Sequence, residues 1–168
     1  THADYFNGDI PVKRKLTKRL GGFIGYTLSR STRRDRNVTY PSGFDRTHVL
    51  DGALSYDFGR GYRAGARTLF YTGAPVSLTS SPTAEEREHP QRLPPFFRLD
   101  VRFEKRWPIG KHGWLSFVAE LQNATFTTET VGLECSSASV GGLGSGTDCK
   151  EDTIGPVTIP SIGLEGGF

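Results

Sequence analysis

The chain has 168 residues, with 21 Lys and Arg against 18 Asp and Glu, a formal charge of +3 and a mean hydropathy of −0.42. It contains no run of about 18 apolar residues, which excludes a transmembrane helix but not a barrel, whose strands alternate and keep half their side chains polar. The 21 Gly, 10 Pro and 11 Phe suit strands and turns better than helix interiors. The cations are spread along the chain rather than gathered in a patch, so nucleic acid is not an expected partner. The lack of Met and of a basic-then-apolar opening reads as a mature or truncated product.

Period-2 alternation is the dominant signal. The first candidate strand, 10–17, contains Pro11, which restricts it to a strand start, a bulge or an edge. Ile24, Tyr26 and Leu28 then alternate with Gly25, Thr27 and Ser29. Leu50, Leu54, Tyr56 and Phe58 oppose Asp51, Ser55 and Asp57, while Tyr62, Ala64, Ala66 and Phe70 oppose Arg63, Gly65 and Arg67. The pattern is purest over 97–107. One face reads Phe97, Leu99, Val101, Phe103, Lys105 and Trp107; the other reads Arg98, Asp100, Arg102, Glu104 and Arg106. Leu115, Phe117, Ala119 and Leu121 oppose Ser116, Val118, Glu120 and Gln122. Finally, Ile162, Leu164, Gly166 and Phe168 stand against Ser161, Gly163 and Glu165.

The connections sort by length. Those at 18–22, 59–61 and 108–113 are short, whereas 31–43, 73–95 and 124–156 are long, polar and irregular in pattern. Short turns at one end and long loops at the other describe an outer-membrane barrel. At ~3.3 Å per residue the stretch 97–107 spans about 33 Å, and a tilt of roughly 40° brings that to about 25 Å, the height of a barrel's apolar band. The expected fold is therefore all-β, a transmembrane antiparallel meander. About seven strands are legible, whereas bacterial single-chain barrels use an even number. Open edges in lipid leave backbone groups unpaired at several kcal/mol each. Either an eighth strand closes the sheet, or residues 1–168 are a portion of a larger barrel; the second is expected.

Candidate functional residues are few. The row Arg98, Asp100, Arg102, Glu104 and Arg106 has two readings: a polar conduit touching a plug or an anionic ligand, or a salt-bridged ladder with Glu120, Arg63 and Arg67. The ladder is the expected one, because opposite charges across strands stabilise a sheet without any ligand. The long connections 73–95 and 124–156 are the better ligand candidates, since external loops carry recognition. Cys135 and Cys149 lie in a Gly/Ser-rich stretch, and two thiols without His or carboxylate help make no four-ligand zinc site. No metal is expected. A loop disulfide in an exported, oxidising location is expected, the alternative being two free thiols that never meet. Asp45, His48 and Ser55 form a hydrolase-like trio only on paper, because geometry decides such sets. Gly141, Gly142, Gly144 and Gly146 lack the Lys-Ser/Thr ending of a phosphate loop. Neither enzyme activity nor a cofactor is expected.

Several stretches, in order, resemble the end of the barrel of a TonB-dependent outer-membrane receptor. They are Gly25-Tyr26-Thr27-Leu28-Ser29-Arg30-Ser31, Phe44-Asp45-Arg46-Thr47-His48-Val49-Leu50 and Tyr71-Thr72-Gly73-Ala74-Pro75. Arg92-Leu93-Pro94-Pro95 then leads into Phe97-Arg98-Leu99-Asp100-Val101-Arg102, and Glu120-Leu121-Gln122-Asn123 resembles the penultimate-strand ending. The resemblance implies a 22-stranded barrel with a plugged lumen, placed in the outer membrane. It implies import of a siderophore, cobalamin, metal or glycan with energy relayed by an inner-membrane partner. It further implies that the aromatic Phe168 is read by the barrel-assembly machinery. The family's plug domain and energy-coupling box are not found in these residues, so the chain is expected to be the C-terminal third of such a receptor, or a relic of one. A small eight-stranded barrel with a structural or adhesive role and a soluble β-sandwich binding module are the other readings.

Overall fold

The computed structural model describes residues 2–15, 18–35, 37–78, 82–139 and 145–168. Alternation makes strands here, and the strands are long. In chain order they are β1 (His2–Lys15), β2 (Leu20–Asp35), β3 (Val38–Pro41), β4 (His48–Gly59), β5 (Tyr62–Tyr71) and β6 (Pro75–Val76), then α1 (Ala84–Glu88). After the helix come β7 (Gln91–Arg92), β8 (Phe96–Ile109), β9 (Gly113–Gln122), β10 (Glu129–Ser139), β11 (Ser145–Ile154) and β12 (Ile159–Gly167). The fold is all-β apart from that one short helix.

Seven strands form an antiparallel meander in the order β1-β2-β4-β5-β8-β9-β12, with β3 folding back on β2. Six alternating stretches each become one strand of this path; the candidate 10–17 overlaps β1, which begins at His2, and its residues 16 and 17 lie outside the described residues. Pro11 falls inside β1 opposite Gly25. β1 is an edge, where a missing N–H is tolerated. At the short connection after β4, Arg60 (φ 54°) and Gly61 (φ 80°) turn the chain, and a Cβ on Gly61 would collide with the Arg106 carbonyl.

The long connections are more ordered than their pattern suggests. Over 31–43 the chain continues β2 to Asp35 and returns as β3. The segment 73–95 holds the β6–β7 pair and α1. Thr83 and Glu86 close a capping box on that helix, Thr83 N donating to Glu86 Oε2 at 2.8 Å and Glu86 N to Thr83 Oγ1 at 3.3 Å. The segment 124–156 holds β10 and β11, a hairpin that forms a sheet of its own. These pieces escaped the hydrophobic pattern because β3, β6 and β7 are too short to show a period and the apolar alternation of β10 stops after Val131 and Leu133. Residues 140–144, which include most of the Gly-rich run, lie outside the described residues.

The main sheet is a single layer. Its strands make their contacts with their sheet neighbours, and α1 rests against β3. Among the described residues the only buried apolar side chains are Leu93 and Val118. A sandwich needs a second sheet about 10 Å away, and the described residues supply none. Nor does the sheet close, since β1 and β12 each have one neighbour. Register aligns Val101 with Ala66 and Leu121, and Ala66 with Leu54, so one face is continuously apolar. It is also uncovered: Ile24 is 60% exposed, Leu54 50%, Phe58 59% and Ile162 80%.

Candidate functional site: a charged wall and an anchored rim

The opposite face of the same sheet is charged. Register sets Arg67 against Asp100, Arg63 against Glu104 and Arg102 against Glu120. Arg102 ties three strands, bonding Glu120 on β9 and, at 3.1 Å, Glu165 on β12. Arg98 pairs with Asp100 at 3.1 Å along β8 itself. Glu104, 6% exposed, accepts from Ser116 Oγ at 3.0 Å and from Arg106 at 3.1 Å, and faces Arg63 at 3.8 Å. All five residues of the charged row thus share one face. Between them lies an open depression of about 320 Å³ bordered by Arg67, Asp100, Arg102, Glu120 and Gln122.

Sequence reasoning missed Ser116 and Glu165. Ser116 is fully buried, yet a serine at a polar-face position carries no signal beyond its parity. Replacing Glu104 by Gln leaves Arg63 and Arg106 without their shared charge. Both cations are about half exposed, so water takes up much of the loss and the expected cost is about 1–2 kcal/mol, read as a fall in the urea midpoint at constant slope.

At the end of the sheet that carries the long connections, stretches far apart in sequence meet. From β7, Arg92 donates to the carbonyls of Asp45 at 3.0 Å and Gly73 at 3.1 Å, and to Asp45 Oδ2 at 2.5 Å. Ser31 N donates to Asp45 Oδ1 at 2.6 Å and Thr47 Oγ1 to Oδ2 at 3.3 Å. Burial opposes the charge on Asp45, 2% exposed, but the Arg92 guanidinium and the Ser31 N–H outweigh it and hold the carboxyl below its ordinary 3.8. Gly73 has to be glycine because a Cβ would collide with the Leu93 carbonyl oxygen.

Two further anchors root the 124–156 segment. Asn123, 3% exposed and at φ 53°, donates from its backbone N to Asp100 Oδ1 at 2.9 Å and from Nδ2 to the Thr127 carbonyl at 2.9 Å. Asn tolerates that left-handed conformation better than most residues. Glu129, at the foot of β10, accepts from the Tyr71 hydroxyl and pairs with Arg46 at 3.6 Å. Arg46 in turn lies 4.0 Å over the Tyr71 ring. The long segments therefore leave the sheet from fixed roots.

No family model, curated protein or solved structure matches the chain.

The remaining predicted residues are placed as follows. Cys135 and Cys149 stand directly opposite each other on β10 and β11 and are joined as a disulfide; it is a cross-strand clamp rather than the staple of an irregular loop. A two-stranded hairpin alone is marginal in water, and a bond between residues 14 apart in sequence contributes ~3 kcal/mol in the chain-entropy picture. In a C135S/C149S variant, amide exchange over 129–139 and 145–154 is expected to accelerate by roughly two orders of magnitude while 97–107 stays protected. Asp45, His48 and Ser55 are not brought together. Asp45 is held by Arg92, His48 Nδ1 lies 2.8 Å from the Tyr26 hydroxyl, and Ser55 is farther along β4 by roughly 23 Å. Among the described residues no three His, Cys, Asp or Glu side chains gather to hold a metal. Phe168 follows β12 with its side chain fully exposed.

Proposed function

We propose that this chain is part of the wall of an outer-membrane β-barrel of the TonB-dependent receptor kind, serving uptake of a nutrient of the siderophore, cobalamin, metal or glycan class. One observation carries the membrane reading: a single-layered sheet with one face continuously apolar and uncovered and the other charged and cross-linked. In water such a face far exceeds the few hundred Å² of contiguous apolar surface that monomeric proteins expose. Against hydrocarbon it is stabilised, with the charged face turned to an aqueous lumen.

Strand parity supports a larger barrel. Seven antiparallel strands leave β1 and β12 running in the same direction. A wall that closes the sheet antiparallel throughout therefore contributes an odd number of strands. One strand makes eight, and fifteen make the 22 of the plugged transporters. Rotational copies of this chain about a barrel axis would meet through parallel edges, which disfavours closure by self-assembly. The receptor assignment itself rests on the order of the quoted motifs and on long segments rooted at one rim, since anchored external loops carry recognition. In this reading the partners are the lipid bilayer, the assembly machinery acting on Phe168, a plug domain, the remaining wall and an inner-membrane energy-coupling protein.

Refolding and vesicle flotation test the membrane reading. Carried in its complete barrel, the chain is expected to float with phosphatidylcholine vesicles in β form, whereas alone it is expected to aggregate in plain buffer. A monomeric, cooperatively folding chain in detergent-free buffer would overturn it. For uptake, deletion of the encoding gene is expected to slow growth when one nutrient of these classes is limiting; unchanged growth on all of them removes that role.

A further inference from the structure

We infer that the rim at the short-turn end of the sheet binds the headgroups of anionic phospholipids, an inference that rests on the membrane reading above. Two sets of residues meet there. On the apolar face, Tyr56 and Phe58 pack edge to face at 4.8 Å and Tyr62 lies 6.1 Å from Phe103. Lys105 stands in the middle of this aromatic band, its ammonium 3.6 Å from the Tyr62 ring centre and 5.7 Å from that of Trp107, donating to the Arg60 carbonyl at 2.6 Å. Just beyond the band the turns carry Lys18, Arg60 and Lys111, all exposed.

The sign of this rim is not balanced locally. On the charged face, Arg63 and Arg106 are matched by Asp57 and Glu104. Among the described residues, Lys18, Arg60, Lys105 and Lys111 make no ion pair with a carboxylate. At the opposite end both signs stand together: Glu85, Glu86 and Glu88 with Arg87 on α1, Glu129 with Arg46, and Asp45 with Arg92. Four cations that pair with no carboxylate among the described residues, Asp57 beside Lys18 being engaged by Arg63, stand at the level of an aromatic band and present the chemistry that recognises lipid phosphate. Each Lys or Arg near an anionic surface contributes roughly a fivefold preference, and the aliphatic stem of Lys105 lets its ammonium reach up from the apolar face to headgroup level.

The chain carries its own reporter. Its two tryptophans, Trp107 and Trp114, both lie at this rim, and Trp114→Phe leaves Trp107 on the apolar face as the single fluorophore. With the chain set in its complete barrel and every other tryptophan replaced by phenylalanine, quenching of Trp107 in mixed vesicles by acyl-brominated phosphatidylglycerol is compared with quenching by acyl-brominated phosphatidylcholine. The expected result is a preference for the anionic lipid of at least roughly fivefold, collapsing in about 1 M salt, where the screening length falls to about 3 Å. K18Q/R60N/K111Q, confined to the turn tips, is expected to cut the preference at least by half, and adding K105Q to bring it near unity. Unchanged quenching by the zwitterionic lipid reports that these variants still insert.

Equal quenching by both lipids in the parent chain overturns the proposal while leaving the membrane reading intact, and points the rim toward an acidic protein instead. A preference that survives removal of all four cations overturns it as well. Quenching by neither lipid removes the membrane reading, and the proposal with it.

Discussion

Placing an arginine at Val101 is expected to destabilise the chain by about 2–4 kcal/mol in a bilayer, the cost of a cation at the midplane of a barrel's lipid face. Val101 lies midway along the apolar row of β8, is 37% exposed, and is flanked in register by Ala66 and Leu121. No acidic residue of that face stands beside it. In water, arginine at so exposed a position changes stability by within about 0.5 kcal/mol. The two environments therefore predict outcomes differing by more than roughly tenfold in the unfolding constant. A depth series sharpens the test. Trp107→Arg, at the edge of the band, is expected to lose only part of this amount beyond its packing, and Ser55→Arg on the charged face to be near neutral. Reversible urea unfolding of the complete barrel in vesicles reads all three. A profile flat with depth along β8 would mean that the apolar face meets something other than hydrocarbon.

The meander was legible because the apolar face is long and its partner face polar, so six of the seven strands of the main path announced themselves by parity, while β1 was read only in its second half. The same reasoning explains what stayed hidden. β2 continues through Arg30, Arg33, Arg34 and Asp35, and β10 and β11 run through Glu134, Lys150 and Glu151, where no long apolar row accompanies the strand. Backbone pairing persists there, but the hydrophobic signal ends where the apolar zone ends. The rim was hidden for another reason. Asp45 and Arg92 are 47 residues apart, and nothing local to either predicts an ion pair. The motifs quoted for their resemblance nonetheless contain Ser31, Asp45, Gly73 and Arg92, the groups that converge. Parity places Arg98, Asp100, Arg102, Glu104 and Arg106 on one face, but nothing local marks the buried contact of Ser116 with Glu104.

Removing Arg92 is expected to release the 73–95 segment without unfolding the sheet. Breaking a buried ion pair by deleting one partner costs about 3–5 kcal/mol. Arg92 is one-third exposed, and Asp45 keeps the Ser31 N–H and the Thr47 hydroxyl, so the expected local cost of Arg92→Ala is nearer about 2–3 kcal/mol. The pH dependence carries the sharper signature. Because the folded Asp45 carboxyl titrates below 3.8, its stabilisation is fully present above that value and is lost as pH falls below 3.8 through the folded value. With the guanidinium gone, burial pushes the carboxyl back up toward or past its ordinary value, so the stability lost on acidification is expected to shrink or change sign in Arg92→Ala. Asp45→Asn, uncharged throughout, is expected to show no such midpoint. Amide exchange over 42–47 and 73–78, followed across acidic pH with 97–107 as internal reference, separates the three. An acid-dependent loss of the same size in the parent and Arg92→Ala chains would mean that the backbone acceptors of Arg92, rather than its charge on Asp45, root the segment.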